Sequence, residues 1–175
     1  LLRYDTVIEK ALSFLRFYSK DLPYMKKLRR NARMLCIQHL YAYLQQQDEI
    51  LDTVIERCLL LNEDPDFDEE FFRTLIHKTV NEIDQIDERI KKRSKNWAFS
   101  RITLMDKIIL RQAIAEMMFI EDVPPRVTIS EAIELAKEFS TEESHVFVNG
   151  MLDRIYKDLV EEKILIAEIS PVKEG

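Results

Sequence analysis

Basic residues near the start of this chain carry its clearest chemistry. Lys26, Arg29, Arg30 and Arg33 recur at i, i+3 and i+4 spacing, so a helix would gather them on one face. Tyr41 follows Arg33 by eight residues, about two turns, and falls on roughly the same side. A guanidinium can fork onto a phosphate or stack on a base, and an exposed ring can receive an unpaired base. Lys26 and Lys27 extend the run and, from charge alone, are candidates for further phosphate contacts. The competing reading of such a run is a solvated helix face.

Other chemistry is thin. Glu142 and His145 have the E-x-x-H spacing of di-iron bundles, which need two such pairs and two more glutamates. Cys36 precedes His39 by three and Thr74 precedes His77 by three, so there is no second pair. Neither H-E-x-x-H nor paired C-x-x-C occurs. The only glycines are Gly150 and Gly175, so neither G-x-G-x-x-G nor G-x-x-x-x-G-K can be written. No serine sits in a nucleophile elbow. The expectation is a protein that catalyses nothing and takes no metal or cofactor.

Net charge is −6, but the charges are segregated. Residues 20–33 hold six cations and one acid, Asp21; residues 89–95 hold five cations and no acid. Between Asp48 and Glu70 lie ten acids against one arginine, Arg57. Separate positive and negative patches follow. No apolar run approaches the 18 residues of a membrane span, and Leu1-Leu2-Arg3-Tyr4-Asp5 does not read as a cleavable signal. Cys36 and Cys58 sit among apolar neighbours and read as buried thiols of a reducing compartment. The expectation is a cytoplasmic protein without a membrane role. The first residue is not Met, which predicts missing upstream sequence.

The elements that must position the basic run are helical. With 46% apolar residues, 33% charged residues and two glycines, hairpin-rich folds are disfavoured. Residues 5–19 carry Val7, Ile8, Ala11, Leu12, Phe14, Leu15 and Tyr18 at helical period, and Asp21-Leu22-Pro23 predicts a stop. A second helix is expected over 24–46, with Leu28, Ala32, Leu35, Cys36, His39, Leu40 and Tyr43 on its apolar stripe. A third opens at Asp48, and residues 62–66 read as a turn. A long fourth helix runs from Asp68 into the basic run 89–95, whose cations suit a helix C-terminus. Residues 94–102, with Trp97 and Phe99, form the best internal boundary. Thr103 is expected to cap a fifth helix over 104–120, ended by Val123-Pro124-Pro125. Thr128, with Glu131 as a capping box, is expected to open a sixth, and Thr141 a seventh.

Several blocks resemble the NusB family of bacterial transcription antitermination factors. Arg29-Arg30-Asn31-Ala32-Arg33 and Gln38-His39-Leu40-Tyr41 resemble its start. Trp97-Ala98-Phe99-Ser100-Arg101-Ile102 and Met105-Asp106-Lys107-Ile108-Ile109-Leu110-Arg111 follow in family order. So do Ser130-Glu131-Ala132-Ile133-Glu134-Leu135-Ala136-Lys137 and Phe147-Val148-Asn149-Gly150-Met151-Leu152-Asp153. The resemblance covers roughly residues 26–156 and implies an all-α fold of two small packed helical subdomains. It implies binding of single-stranded boxA RNA in ribosomal RNA leaders, as a heterodimer with NusE, a small-subunit ribosomal protein. The pair helps an RNA polymerase antitermination complex resist termination. By motif position, Arg29, Arg30 and Arg33 are the RNA-facing cations, Tyr41 lies nearby, and Phe147 is a second RNA-side element. Asp106 matches an acidic position implicated in contact with NusE.

The implied organisation is an extension helix at 1–24, a subdomain bearing the arginine helix at 25–95, a second at 96–163 and a loose tail at 164–175. The extension departs from the family, which commonly begins near its arginine motif. The basic run 89–95 is unusually strong and suggests a wider phosphate track. Two alternatives stand beside the antitermination reading. One is a helical adaptor that uses its acidic face without RNA. The other is a NusB-like domain detached from an rRNA cytosine methyltransferase, although Gly175 ends the chain with neither a cofactor loop nor a catalytic cysteine behind it.

Overall fold

The computed structural model describes residues 2–45, 50–61, 66–94 and 99–165, with side chains from Tyr24 onward except at 58 and 61. Seven α-helices and one 3-10 turn make up the described residues, without a strand. They are α1 (Leu2–Gln45), α2 (Leu51–Leu61), α3 (Glu69–Asn81), α4 (Ile83–Arg93), α5 (Leu104–Phe119), α6 (Pro125–Phe139) and α7 (Ser144–Glu161), with the short turn at Phe99–Arg101 before α5.

Helix α5 is the axis. Every residue from Ile108 to Met118 is buried, and α1, α3, α4, α6 and α7 all pack on it. A helix buried all round needs no apolar stripe. Its polar members are matched instead by neighbouring helices. Arg111 makes a forked ion pair with Asp87 of α4 at 2.7 and 2.8 Å. Around it, α3 buries Phe71, Phe72, Leu75 and Ile76, and α7 buries Val148, Met151, Leu152, Ile155 and Leu159 at i, i+3/i+4 spacing. Among the described residues, no helix is long and apolar enough to cross a membrane.

Helix starts show how far capping chemistry decides boundaries. Thr103 accepts from the Asp106 N–H at 3.1 Å, and Asp68 accepts from the Phe71 N–H at 3.0 Å, both as expected of N-caps. Thr128 corrects the expectation made of it. The helix begins one turn earlier, with Pro125 in its first turn where a missing N–H costs nothing, and Thr128 is buried inside it. Helix α7 likewise starts at Ser144 rather than at Thr141; the Thr141 and Ser144 hydroxyls hydrogen-bond at 2.8 Å in the preceding turn.

Two further boundaries differ from the sequence expectation and cancel in the count. The stop at Asp21-Leu22-Pro23 is absent, since α1 runs through it. Proline fixes φ near a helical value, so a helix can continue at the loss of one hydrogen bond. The single helix expected from Asp68 is two, divided at Glu82 (φ −106°, ψ 16°). The Ile86 N–H still donates to the Glu82 carbonyl at 3.1 Å, so the apolar period continues across the division and hides it. The apolar face proposed for 5–19, the Asp48 start, the turn at 62–65, Trp97, Lys95, the Cys58 thiol and the tail from residue 166 lie outside the described residues or side chains. Of the segment expected to be a loose tail, Leu165 is buried.

Candidate nucleic-acid interface

Helix α1 presents its basic run on three different sides of its axis. At about 100° per residue, and taking Arg33 as zero, Arg30 lies about 60° and Tyr41 about 80° to one side. Lys27 follows at about 120° and Gln38 at about 140°, while Arg29 lies about 40° to the other side. The buried residues Ala32, Cys36, Ile37 and Leu40 bracket Arg33. Arg33 therefore belongs to the core stripe, and its neighbours flank it.

Arg33 is 4% exposed and Glu116 of α5 is fully buried. The Arg33 Nε donates to Glu116 Oε2 at 2.8 Å, and Nη2 donates to Oε1 at 2.6 Å. Thr128 Oγ1 of α6 donates to the same Oε1 at 2.7 Å. The guanidinium carbon also sits 5.0 Å from the centroid of the Phe71 ring. These contacts correct the assignment of Arg33 as an RNA-facing cation. Its donors are turned inward because α5 carries a buried carboxylate that requires a cation.

Arg29 is partly buried and already engaged. Its Nε donates to Asp68 Oδ2 at 3.3 Å and its Nη2 to Asp122 Oδ2 at 2.5 Å, with the guanidinium 5.0 Å from the Phe71 centroid. Burial alone would lower its pKa; the hydrogen bonds and charges of Asp122 and Asp68 outweigh that and raise it. It lines a cavity of about 270 Å³ with Asp68, Glu70, Phe71, Thr74, Ile120 and Asp122. Arg30 stands free by comparison, its nearest acid being Glu138 at 3.9 Å with both side chains about half exposed. A pair so open contributes little. Lys26 and Lys27 are exposed and pair with no described acid. Lys26, although near Arg33 in angle, lies beyond the point where the Leu28 carbonyl accepts from Asp68 N–H and α1 meets α3. Tyr41 is 41% exposed. The structure thus gathers Lys26, Lys27, Arg30 and Tyr41 on the open side of α1.

The remaining candidates lie elsewhere. Phe147, in the first turns of α7, is half-buried and packs against the core. Asp106 is buried in the first turn of α5 and accepts from Ser140 Oγ at 2.7 Å; Ser140 Oγ is 2.9 Å from Ser144 Oγ. Its hydrogen bond ties the start of α5 to the α6–α7 turn and leaves the carboxylate little exposed. His145 Nδ1 lies 2.7 Å from the Glu142 carbonyl oxygen. No cluster of three metal-binding side chains occurs among the described residues.

The described cations of the α4 basic run are all paired with carboxylates. Arg93 makes a forked pair with Asp158 of α7, Nε to Oδ2 at 2.5 Å and Nη2 to Oδ1. Arg89 reaches Glu162 at 2.9 Å, Lys92 approaches the same carboxylate at 3.6 Å, and Lys91 pairs with Glu88 at 2.7 Å. The Arg89 hydrogen bond holds the Glu162 pKa below its usual range. Arg89, Lys92 and Arg93 staple α4 to the end of α7, and Lys91 pairs within α4. Sequence reasoning passed over Glu116, Asp122 and Asp158, and read Thr128 only as a helix cap. The signal for Glu116 was present, as the one acid within Ile108-Ile109-Leu110-Arg111-Gln112-Ala113-Ile114-Ala115-Glu116-Met117-Met118.

A central buried helix wrapped by five others, with a cationic edge on the longest, defines an all-α domain. The chain belongs to the NusB family, whose match covers residues 30–157. Transcription antitermination protein NusB of Chloroherpeton thalassium is 39% identical over 140 residues, 78% of this chain and 65% of that protein. The chain therefore spans somewhat under two thirds of that relative's length. The structure of T. maritima NusB aligns with a TM-score of 0.66 at 34% identity, covering 74% of this chain and 91% of that one. A crystal structure of antitermination factors NusB and NusE in complex with dsRNA aligns at TM-score 0.66 and 25% identity, covering 77% and 99%.

Proposed function

We propose that this chain is a non-catalytic, cytoplasmic RNA-binding antitermination factor. It binds a boxA-like single-stranded segment of rRNA leader as a heterodimer with a NusE-type ribosomal protein, within a complex that helps RNA polymerase resist termination. The observation that carries the reading is the open side of α1, which bears Lys26, Lys27 and Arg30 and, about three to four turns further along, the exposed Tyr41. Family membership and the solved NusB–NusE–dsRNA neighbour support it. Phosphate contacts from the cations fix the strand on the helix, and the Tyr41 ring provides a stacking surface for an unpaired base. Phe147, partly exposed on α7, is the second RNA-side element of this reading. The 25–95 part supplies the cationic edge, and the 96–163 part presents the α6–α7 turn, which Asp106 orders from within, to the protein partner. Arg33 serves in this scheme as a strut and not as a contact.

Fluorescence anisotropy with boxA-like RNA and a scrambled control, with and without the NusE-type protein, tests it. Preference for boxA, strengthened by the partner and abolished by Lys26→Glu/Lys27→Glu/Arg30→Glu, is expected. Equal, weak and steeply salt-dependent binding of both RNAs would contradict it.

A further inference from the structure

We infer that Arg33, Glu116 and Thr128 form a positioning device that sets the rotation of α1 and thereby the presentation of its RNA-facing edge. The inference rests on the RNA-binding reading above and assigns to Arg33 a role opposite to the one its motif position implies.

The geometry fixes α1 from three directions. Glu116 receives three hydrogen bonds within 2.6–2.8 Å, two from Arg33 of α1 and one from Thr128 of α6. Phe71 of α3 lies beneath the guanidiniums of both Arg33 and Arg29, each 5.0 Å from its centroid. A forked guanidinium–carboxylate pair is directional in a way that apolar packing is not. Ala32, Cys36, Ile37 and Leu40 pack α1 against the core without directional bonds, and the fork adds a fixed orientation to that packing.

Roll matters because the edge is narrow. Arg30 and Tyr41 lie only about 60° and 80° from Arg33, so rotation toward the core would bury them and rotation away would open Arg33. Thr128 acts at one remove, since it touches only the carboxylate that holds Arg33. Through it, the start of α6 is joined to the orientation of α1.

The test separates positioning from contact by the salt dependence of RNA binding by the full chain. Each phosphate contact to a single strand adds about 0.7 to the slope of log affinity against log salt. The probe is boxA-like single-stranded RNA, bound with the NusE-type protein present. Arg30→Ala, a direct contact, is expected to lower the slope by about 0.7. Thr128→Val is expected to weaken binding about fivefold, the equivalent of one hydrogen bond, with the slope unchanged, and Thr128→Ser to restore it. Because Arg33→Ala strands a buried carboxylate and threatens folding, the second variant is Arg33→Met/Glu116→Met, which removes both charges together. It is expected to weaken binding with the wild-type slope. A slope lowered by about 0.7 in this double variant would overturn the inference by making Arg33 a phosphate contact. A folded Thr128→Val chain that binds as wild type would overturn it by reducing the network to stability alone. Failure of the wild type to prefer boxA, with no slope change in Arg30→Ala, would instead end the functional reading on which the inference rests.

Discussion

Removing the Glu116 carboxylate should be far more damaging than removing the whole ion pair. In Glu116→Ala, the Arg33 guanidinium remains 4% exposed, beneath α5 and against Phe71, with no described acid to replace Glu116. Thr128 loses its acceptor as well, although a threonine inside a helix can turn its hydroxyl to the carbonyl at i−4, here Pro124. Breaking a buried pair from one side typically costs about 3–5 kcal/mol, because the survivor is an uncompensated buried charge. For a chain of this size, that lowers the melting temperature by roughly 6–20 °C. Arg33→Met/Glu116→Met removes both desolvation penalties and should lie within about 1 kcal/mol of wild type. Urea unfolding of wild type, Arg33→Met, Glu116→Met and the double variant, followed by far-UV circular dichroism, gives the four corners of the cycle, with Glu116→Ala measured beside them. The midpoints should move while the m-value holds. Loss of less than about 1 kcal/mol in Glu116→Ala would refute the reasoning, since an arginine that tolerates losing its partner is not held in the core.

Other predictions follow from the same contacts. Arg93→Ala should destabilise the chain by about 1–2 kcal/mol through its fork to Asp158, yet leave the salt slope of RNA binding at the wild-type value; a lower slope would restore α4 as a phosphate track. Burial, with the Glu116 charge adding to it, pushes the Cys36 thiol well above its ordinary range. In a Cys58→Ser background, that thiol should therefore resist a disulfide reagent until denaturant is added, and prompt reaction in buffer would contradict its burial. Burial lowers the His39 pKa from its ordinary 6.5, with the ring edge-on to Phe72 at 5.2 Å. The unfolded chain then binds a proton near pH 6.5 where the folded chain does not, so stability falls as pH drops through that value. The urea midpoint should decline between about pH 7.5 and 5.5 in wild type and decline less in His39→Phe, and equal declines would count against it.

What the sequence made legible was the periodicity and the end chemistry of helices. The stripe of α3 and the Thr103 cap follow from residue type at a position. Pro23 was misleading because proline's φ is itself helical, and Glu82 because a kink that preserves register leaves the apolar period intact. Thr128 was misleading because its hydroxyl bonds either an N–H in its own chain or a carboxylate on another helix, and only the fold chooses. The basic run was legible as a helix face but not as three sides of one. Arg29-Arg33-Cys36-Leu40 itself follows the i, i+4, i+7, i+11 spacing of the core stripe, so Arg33 could be placed inside only once an acid in α5 was seen to face it. Long-range pairs of that kind, like Arg93 with Asp158, leave no mark on local spacing.

Lysine footprinting distinguishes the open side of α1 from the α4 basic run as the RNA-covered surface. The full chain is acetylated briefly, free and bound to boxA-like RNA with the NusE-type protein, and modification is read at each lysine by mass spectrometry. Lys26 and Lys27 on the open edge of α1 should be protected by RNA, while Lys91 and Lys92 on α4 should react equally in both states. Protection of Lys91 and Lys92 with Lys26 and Lys27 unchanged would contradict the account.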